Sequence, residues 1–288
     1  MKLTASIHTV SIIFEGMIDA VEEGRIRECI QSSYFKNTGK TSCKINVNRL
    51  YGDIYKYSEF RTALDTITVN AGIKEYQISR VDVRLDSFNK EDYKKYAKLN
   101  RLMLSLLGTA YTTPSNYKST DLFTNQQLSL SVRNDYFQVE YYDKYHQSRG
   151  KDQAKSRLEL RSLKKRLDIE DLSNEFQEEW NRRWQKAEKC FDEMQMKYNQ
   201  ALEQVYKQDR VTFPRKYTRV NNFLTQYQEC IFTKNQMLDL LSRFEDVKNP
   251  QNKEKNYRQR YGIKYYMLQD VEDTIQGIKE AVAHFFEN

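Results

Sequence analysis

Proline and glycine are scarce in this sequence, which contains three prolines and nine glycines among 288 residues. Low-complexity and collagen-like chains are rich in both residues, so their scarcity excludes these classes. The composition instead indicates a globular chain with much regular secondary structure. Its length suffices for one large domain or two ordinary ones.

Cysteine and histidine are few as well, with four and three residues. Neither a Cys-x-x-Cys spacing nor a neighbouring histidine pair occurs, which argues against a zinc knuckle. Scattered thiols are typical of a reducing compartment, so we expect a cytoplasmic protein. The residues concerned are Cys29, Cys43, Cys190, Cys230, His8, His146 and His284.

Long apolar runs are also absent. No segment approaches the roughly 20 apolar residues that a membrane-spanning helix requires. Residues 1–16 contain one lysine but lack the apolar core that a secretory signal carries before its cleavage site. We therefore expect a soluble, intracellular protein without a membrane partner.

Positive charge, in contrast, is in excess. The sequence has 47 lysines and arginines against 40 aspartates and glutamates, which gives a net charge of +7. A basic balance of this size favours a polyanionic partner such as nucleic acid, although many basic proteins bind none. An acidic protein partner is the alternative.

The periodicity of apolar residues predicts an α+β fold with two modules. Residues 1–168 are predicted to form an antiparallel-sheet module with one helix-covered and one charged face, and residues 169–288 an α-helical module. The predicted strands cover residues 4–14, 42–50, 76–87, 127–133, 136–144 and 156–163. The predicted helices cover residues 17–32, 90–107, 169–208, 221–231, 234–245, 253–261 and 265–286.

Three of the predicted strands carry charge on one side only. Strand side chains alternate between the two faces, so residues two apart share a face. The charged side consists of Arg80, Asp82, Arg84 and Asp86 in 79-SRVDVRLDSF-88, Glu140, Tyr142 and Lys144 in the strand at 136–144, and Arg157, Glu159 and Arg161 in 157-RLELR-161.

Two interpretations of this charged side are open. It is either a solvated face with cross-strand ion pairs, each worth about 0.2–1 kcal/mol, or a functional face. Clustered carboxylates are the ligands that Mg²⁺ and Mn²⁺ prefer, and arginines bind phosphates through paired hydrogen bonds. On the second interpretation Asp82, Asp86, Glu140 and Glu159 bind a divalent metal, and Arg80, Arg84, Lys144, Arg157 and Arg161 contact DNA.

The order of these segments resembles the signature motifs of rolling-circle replication initiators and relaxases. RVDVRLDSF is followed by YDK at 142–144 and then by RLELR, and the similarity covers roughly residues 75–165. The Rep-trans plasmid initiators and the filamentous-phage initiators are the groups that it resembles most. Such proteins nick one DNA strand with a tyrosine, keep a 5′-phosphotyrosyl link, use a divalent metal and recruit a helicase.

The resemblance implies roles for individual positions. Asp82 and Asp86 match the acidic strand, and Glu159 matches the acidic residue of the last motif. The family's nucleophile usually precedes the YDK motif in a Tyr-x-Gly-Ser context, where this sequence reads QLSLSVRND at 127–135. Tyr136 and Tyr142, which share the parity of the charged side, are therefore the predicted nucleophiles. A non-nicking relative that only binds DNA is the alternative.

The second half of the sequence offers a further DNA-binding candidate. The segment 233-TKNQMLDLL-241 has a capping-box pattern, with Thr233 followed three residues later by Gln236. The segment 253-KEKNYRQRYGIKYY-266 is basic and interleaved with tyrosines. Together they predict a helix-turn-helix-like unit that contacts DNA phosphates, although helix pairs with a basic surface are common in all-α domains. Arg215 and Lys216, in the preceding connector, are predicted to add phosphate contacts.

The sequence thus predicts a DNA-binding replication initiation protein of a plasmid or phage-like element that nicks and rejoins one strand. Its predicted partners are origin DNA and a host helicase. The mixed charges along residues 169–208 are typical of a solvated face or of a homodimer surface. A non-catalytic relative of the initiators and a basic protein-interaction module are the alternatives.

Overall fold

The computed structural model describes most of the chain: residues 3–18, 24–88, 103–104, 106–108, 110–111, 129–151, 153–154, 156–212, 216–227, 231, 233–244, 250–261, 263, 265 and 268–288. The backbone forms two compact units. Met1–Ala187 and Thr274–Asn288 form one, the sheet unit, and Glu188–Asp273 form the other, the helical unit. A compact unit is not necessarily a domain that folds by itself. The division into domains 1–168 and 169–288 therefore stays a prediction.

Within the described residues, seven antiparallel strands make one sheet in the order β2-β3-β1-β4-β7-β6-β5. An antiparallel sheet followed by helices confirms the predicted α+β class. The strands are β1 Thr4–Glu15, β2 Ile30–Phe35, β3 Lys40–Ile45, β4 Gln77–Ser87, β5 Ser129–Arg133, β6 Phe137–Tyr142 and β7 Ser156–Ser162. The three strands with the charged side, β4, β7 and β6, are direct neighbours.

Helices cover the apolar side of the sheet. They include α3 Tyr57–Asn70 and the sheet-unit parts of α5 Leu172–Asp192 and α10 Leu268–Glu287. The ring centroids of Trp180 in α5 and Phe137 in β6 are 5.9 Å apart. Those of Phe286 in α10 and Tyr57 in α3 are 4.9 Å apart. The apolar residues of β4, β6 and β7 are buried, as their alternation predicts.

The predicted helix at 17–32 is wrong at its C-terminal end. The described part contains a short helix, α1 Gly24–Cys29, and then the chain enters β2. A turn over residues 36–39 returns it into β3, with Gly39 at φ +67 and its amide donating to the Phe35 carbonyl at 3.0 Å. Glycine adopts positive φ without the steric penalty of a side chain, which suits such a turn.

Two further differences lie between β3 and β4. The predicted strand at 42–50 ends at Ile45, and residues 48–51 form a short helix, α2 Asn48–Tyr51. The helix α3 was missed altogether. Its buried Phe60, Leu64 and Ile67 are three and four residues apart, so an apolar stripe was present in the sequence. A short helix, α4 Lys144–Gln147, follows β6.

The predicted helix at 90–107 lies largely outside the described residues, although residues 103–104 and 106–107 are helical. The predicted helix at 169–208 is two helices, because α5 ends at Asp192 and α6 Met194–Thr212 follows. Neither proline nor glycine marks this break in the sequence.

The helical unit packs around one apolar core. Its remaining helices are α7 Lys216–Tyr227, α8 Lys234–Phe244 and α9 Pro250–Tyr261. Tyr198, Phe223 and Leu240 are fully buried in this core. The predicted capping box at the start of α8 is confirmed. The backbone N–H of Gln236 donates to Thr233 Oγ1 at 3.2 Å, and the backbone N–H of Thr233 donates to Gln236 Oε1 at 3.1 Å. None of the described helices is both long and apolar enough to cross a membrane.

Candidate functional site

The register between β4 and β7 sets opposite charges directly across from each other. Asp86 pairs with Arg157, Arg84 with Glu159, and Asp82 with Arg161. Charge also alternates along each strand, so every one of these residues has opposite charges both beside and across from it. Cross-strand neighbours of opposite charge stabilise a sheet. We call the charged side chains of β4, β6 and β7, together with the phenol of Tyr142, the charged network. Its members are Arg80, Asp82, Arg84, Asp86, Glu140, Tyr142, Arg157, Glu159 and Arg161.

Each aspartate of β4 accepts two hydrogen bonds from one arginine. Asp86 accepts from Arg157 Nε at 2.6 Å and from Nη2 at 2.8 Å. Asp82 accepts from Arg80 Nε and Nη2, both at 2.7 Å. Paired hydrogen bonds of this kind are the geometry in which a guanidinium binds a carboxylate most strongly.

The two glutamates of the charged network lie directly opposite each other, Glu140 on β6 and Glu159 on β7. Like charges in this position repel. Arg161 compensates, because its Nη2 lies 2.8 Å from Glu140 Oε2 and also donates to Glu159. Arg161 therefore holds both carboxylates.

Most of the charged network is buried rather than solvated. Asp82, Arg84 and Glu159 are 3% exposed, and Asp86 and Arg157 are 1% and 2% exposed. Arg80 and Arg161 are the arginines of this network with larger exposed side-chain fractions, 31% and 16%. Of the first interpretation, the cross-strand ion pairs are present, but solvation is wrong for the buried residues of β4 and β7. The predicted phosphate contacts of these arginines stay a prediction.

The carboxylate pKa values reflect this burial and pairing. Burial raises the pKa of Asp82, and the hydrogen bonds and charge of Arg80 offset only part of the increase. Burial acts in the same direction on Glu159. There, the charge of Arg161 and hydrogen bonds from Tyr142 and Arg161 outweigh it and lower the pKa.

The four predicted metal ligands do not form a preformed metal site. Among the described residues, no three histidine, cysteine, aspartate or glutamate side chains converge as metal ligands would. The oxygens of Asp82 and Asp86 accept hydrogen bonds from Arg80 and Arg157 instead. A divalent cation would have to displace these guanidinium groups, so the present arrangement does not fit one.

Tyr142 is a buried member of the charged network. It is 7% exposed, its hydroxyl donates to Glu159 Oε1, and it pairs across strands with Arg157. Burial and the charge of Glu159 raise the pKa of the phenol. A tyrosine nucleophile needs a neighbouring base and an open approach for the substrate. Glu159 supplies a base, but burial restricts the approach.

Tyr136 has the opposite character. It is 62% exposed and precedes β6, where its backbone carbonyl accepts from the Leu163 amide at 2.8 Å. Leu163 lies four residues from Glu159, which corresponds to about 13 Å along a strand. The sheet therefore does not place Tyr136 beside Glu159.

The YDK motif lies at the end of β6. Lys144 begins α4, with its Nζ 5.7 Å from the Tyr142 ring centroid and 3.2 Å from Gln147 Oε1. Asp143 is buried. Of the predicted connector residues, Arg215 and the side chain of Lys216 lie outside the described part of the chain.

His8 and Asp53 lie next to the charged network, and neither residue was predicted to lie there. A register irregularity after Ile7 places His8 where Glu159, Arg84 and Arg157 act on it, and burial lowers its pKa to about 4. Asp53 Oδ1 lies 2.5 Å from Arg84 Nη2. The sequence carried a signal for His8, because Ile7 and Val10 are three residues apart and this change of parity marks the bulge.

A second candidate surface lies on α9 in the helical unit. Its four cationic residues, Lys253, Lys255, Arg258 and Arg260, are all exposed, and Glu254 is its buried residue. The aromatic side chains of this region point inward. Tyr257 and Tyr261 pack against the core, Tyr261 donates to Asn221 Oδ1 at 2.8 Å, and Tyr265 donates to Glu254 Oε1 at 2.6 Å. Arg258 Nε lies 3.2 Å from Glu254 Oε1, so Lys253, Lys255 and Arg260 make the basic side of the helix away from its anchored side.

Comparison with known proteins assigns no family. No protein-family model and no curated protein sequence matches this chain. Among solved structures, the chain is similar to a rolling circle replication initiator protein from Geobacillus stearothermophilus, with 12% sequence identity and a TM-score of 0.31 over 57% of this chain and 76% of the other. Similarity at this level carries no argument about function, so the functional proposal depends on the motifs and the two surfaces.

Proposed function

We propose that this protein binds DNA and acts in the initiation of replication of a plasmid or phage-like element. The main support for DNA binding is the charge of α9, because four exposed cations lie on this 12-residue helix. Lysine and arginine side chains presented in this way neutralise phosphates of the DNA backbone. The order of the RVDVRLDSF, YDK and RLELR motifs supports the assignment to replication.

The packing of α9 supports this role. It packs against α8, whose start is fixed by the capping box of Thr233 and Gln236. A helix pair in which the second helix is exposed is the arrangement that helix-turn-helix proteins use to present a helix to DNA.

Binding of a fluorescent duplex at several salt concentrations tests the proposal. Each phosphate that a cation neutralises contributes a slope of about −0.9 to the dependence of log affinity on log salt. Removing two contacts with Lys255→Ala and Arg260→Ala should weaken binding and flatten the slope by about 1.8.

The matched control removes the same charge elsewhere. Lys56→Ala with Lys74→Ala, at exposed lysines flanking α3, should leave the slope unchanged. Duplex binding that is absent, or insensitive to salt, would contradict the proposal and favour an acidic protein partner.

Strand nicking is a second candidate activity, favoured by the contact between the Tyr142 hydroxyl and Glu159 on the same sheet face as Asp82 and Asp86. The cofactor that the motif resemblance implies is Mg²⁺ or Mn²⁺, and Asp82, Asp86, Glu140 and Glu159 would bind it only if their arginine partners moved away. A host helicase and a second copy of the chain are the proposed partners of such a reaction. The arginine pairing of the carboxylates favours the alternative, a non-catalytic relative.

Incubation of the protein with a supercoiled plasmid and Mn²⁺ or Mg²⁺ decides between these alternatives. The plasmid carries a duplex site that the protein has been shown to bind. Nicking predicts relaxed circles with protein attached to a 5′ end. Comparison of Tyr136→Phe with Tyr142→Phe then identifies the attacking tyrosine, because the variant that lacks it cannot form the phosphotyrosyl link. Intact plasmid under binding conditions establishes the non-catalytic alternative.

A further inference from the structure

The exposed face of α9 carries amide side chains along its middle. Asn252, Asn256 and Gln259 are separated by four and three residues, which places them on one line along a helix. All three residues are exposed. An α-helix turns by about 100° per residue, so Lys255 lies on one flank of this line, and Lys253 and Arg260 lie on the other. We call Asn252, Asn256 and Gln259 the amide line.

The anchoring of α9 directs the amide line away from the core of the helical unit. Glu254 is buried, and Tyr257 and Tyr261 pack against the core of the helical unit. These residues occupy the side of the helix opposite the amide line, since their mean direction differs from it by about 180° at 3.6 residues per turn. A duplex that approaches the exposed side of α9 therefore meets the amides first and the cations at both edges.

We propose that the amide line reads base edges in the major groove of duplex DNA, with adenine as the preferred base. This inference rests on the proposed DNA binding by α9. The major groove admits an α-helix, and asparagine or glutamine forms two hydrogen bonds with N6 and N7 of adenine. The flanking Lys253, Lys255 and Arg260 lie where they contact the phosphates on either side of the groove.

The composition of the face also indicates which bases are not read. Guanine is contacted mainly by arginine or lysine through O6 and N7. Lys253, Lys255 and Arg260 lie at the flanks and Arg258 lies beside Glu254, so the helix lacks a central guanine reader among its described residues. The site should therefore contain A·T pairs at its centre.

The length of the amide line sets the size of the site. Asn252 and Gln259 are seven residues apart, or about 10.5 Å along the helix axis. Base pairs follow one another at about 3.4 Å, so one copy of α9 spans about three base pairs.

Selection from a library of duplexes with a randomised central segment tests this inference. We expect the wild-type protein to enrich sites that share an adenine-containing core of about three base pairs. Asn256→Ala and Gln259→Ala should each lower the affinity for the enriched site by about 5- to 150-fold, as loss of one paired base contact does. Their affinity for a scrambled duplex should change little, because the phosphate contacts remain.

A change in the DNA provides a test that leaves the protein intact. Replacing the core adenines by 7-deazaadenine removes the N7 acceptor while keeping Watson–Crick pairing. Wild-type affinity should fall with this replacement, and Gln259→Ala or Asn256→Ala should respond less to it. The matched control is Gln276→Ala, at an exposed glutamine of α10, which should keep both the enriched site and the 7-deazaadenine response.

The outcomes separate this inference from the proposed function. Salt-dependent duplex binding without an enriched core, or an unchanged preference in Asn256→Ala and Gln259→Ala, would overturn base reading while DNA binding stands. Absence of any duplex binding would overturn both.

Discussion

Asp86 and Arg157 form an ion pair that is almost completely buried. Removing two charges from water costs nearly as much free energy as their attraction returns, so such a pair adds little net stability. Loss of one partner is different, because the other charge stays buried and loses its paired hydrogen bonds. The charged network is therefore intolerant of single changes.

Asp86→Ala should lower the free energy of unfolding by about 3–5 kcal/mol, because Arg157 loses both of its hydrogen bonds to Asp86. Replacing both residues with apolar ones, as in Asp86→Leu with Arg157→Met, should restore most of the loss. Urea denaturation measures each variant.

The exposed pair of Lys56 and Glu59 is the control. Glu59→Ala should cost less than about 1 kcal/mol, because solvent screens a surface ion pair. An Asp86→Ala variant as stable as Glu59→Ala would show that Arg157 finds another partner, and the buried-pair argument would fail.

His8 makes the stability depend on pH in a defined window. Burial lowers its folded pKa to about 4, against 6.5 for the unfolded chain. Between these values the unfolded state binds more protons, so stability falls as the pH drops from 6.5 towards 4. The contribution of His8 to this loss is at most about 3 kcal/mol.

His8→Gln should remove this part of the pH dependence. Urea midpoints of the wild type and the variant should run parallel above pH 7 and diverge below pH 6.5, with the wild type losing more stability. Identical pH dependence down to pH 4.5 would show that the protonation of His8 is not linked to folding.

At the scale of elements, the faces of the strands could be predicted but their partners could not. Alternation in RVDVRLDSF and RLELR assigns each side chain to a face, because the period of a strand is two. Which charge lies opposite which depends on the register of β4 and β7, which turns and packing determine. The sequence therefore predicted one charged face and left cross-strand ion pairs as one of two interpretations, but it did not predict which charges are partners.

The errors among the elements have physical causes. The segment that became β2 lies on a sheet edge and has mostly exposed side chains, so burial gave it no alternating pattern. The helix α3 had a readable stripe in Phe60, Leu64 and Ile67, so it could have been predicted. The capping box of Thr233 and Gln236 was predictable because it depends on residues three positions apart.

At the scale of the whole molecule, the two candidate surfaces differ in their charge balance. In the charged network the four arginines face Asp82, Asp86, Glu140 and Glu159, so their charges cancel. In α9 four cations face Glu254 alone, which gives +3 of the net +7 of the chain within 12 residues. A polyanion is therefore attracted to α9 rather than to the charged network.

The alternating charges of β4 and β7 also protect the sheet against misalignment. A slip of one residue would turn the apolar side chains outward, but a slip of two would keep them inward and is the more dangerous error. A two-residue slip would bring Asp86 opposite Glu159 and Arg84 opposite Arg161, so like charges would meet in a buried place. The native alignment of β4 and β7 sets opposite charges across from each other, whereas a two-residue slip sets like charges there. The pattern thus acts as a check on strand alignment during folding.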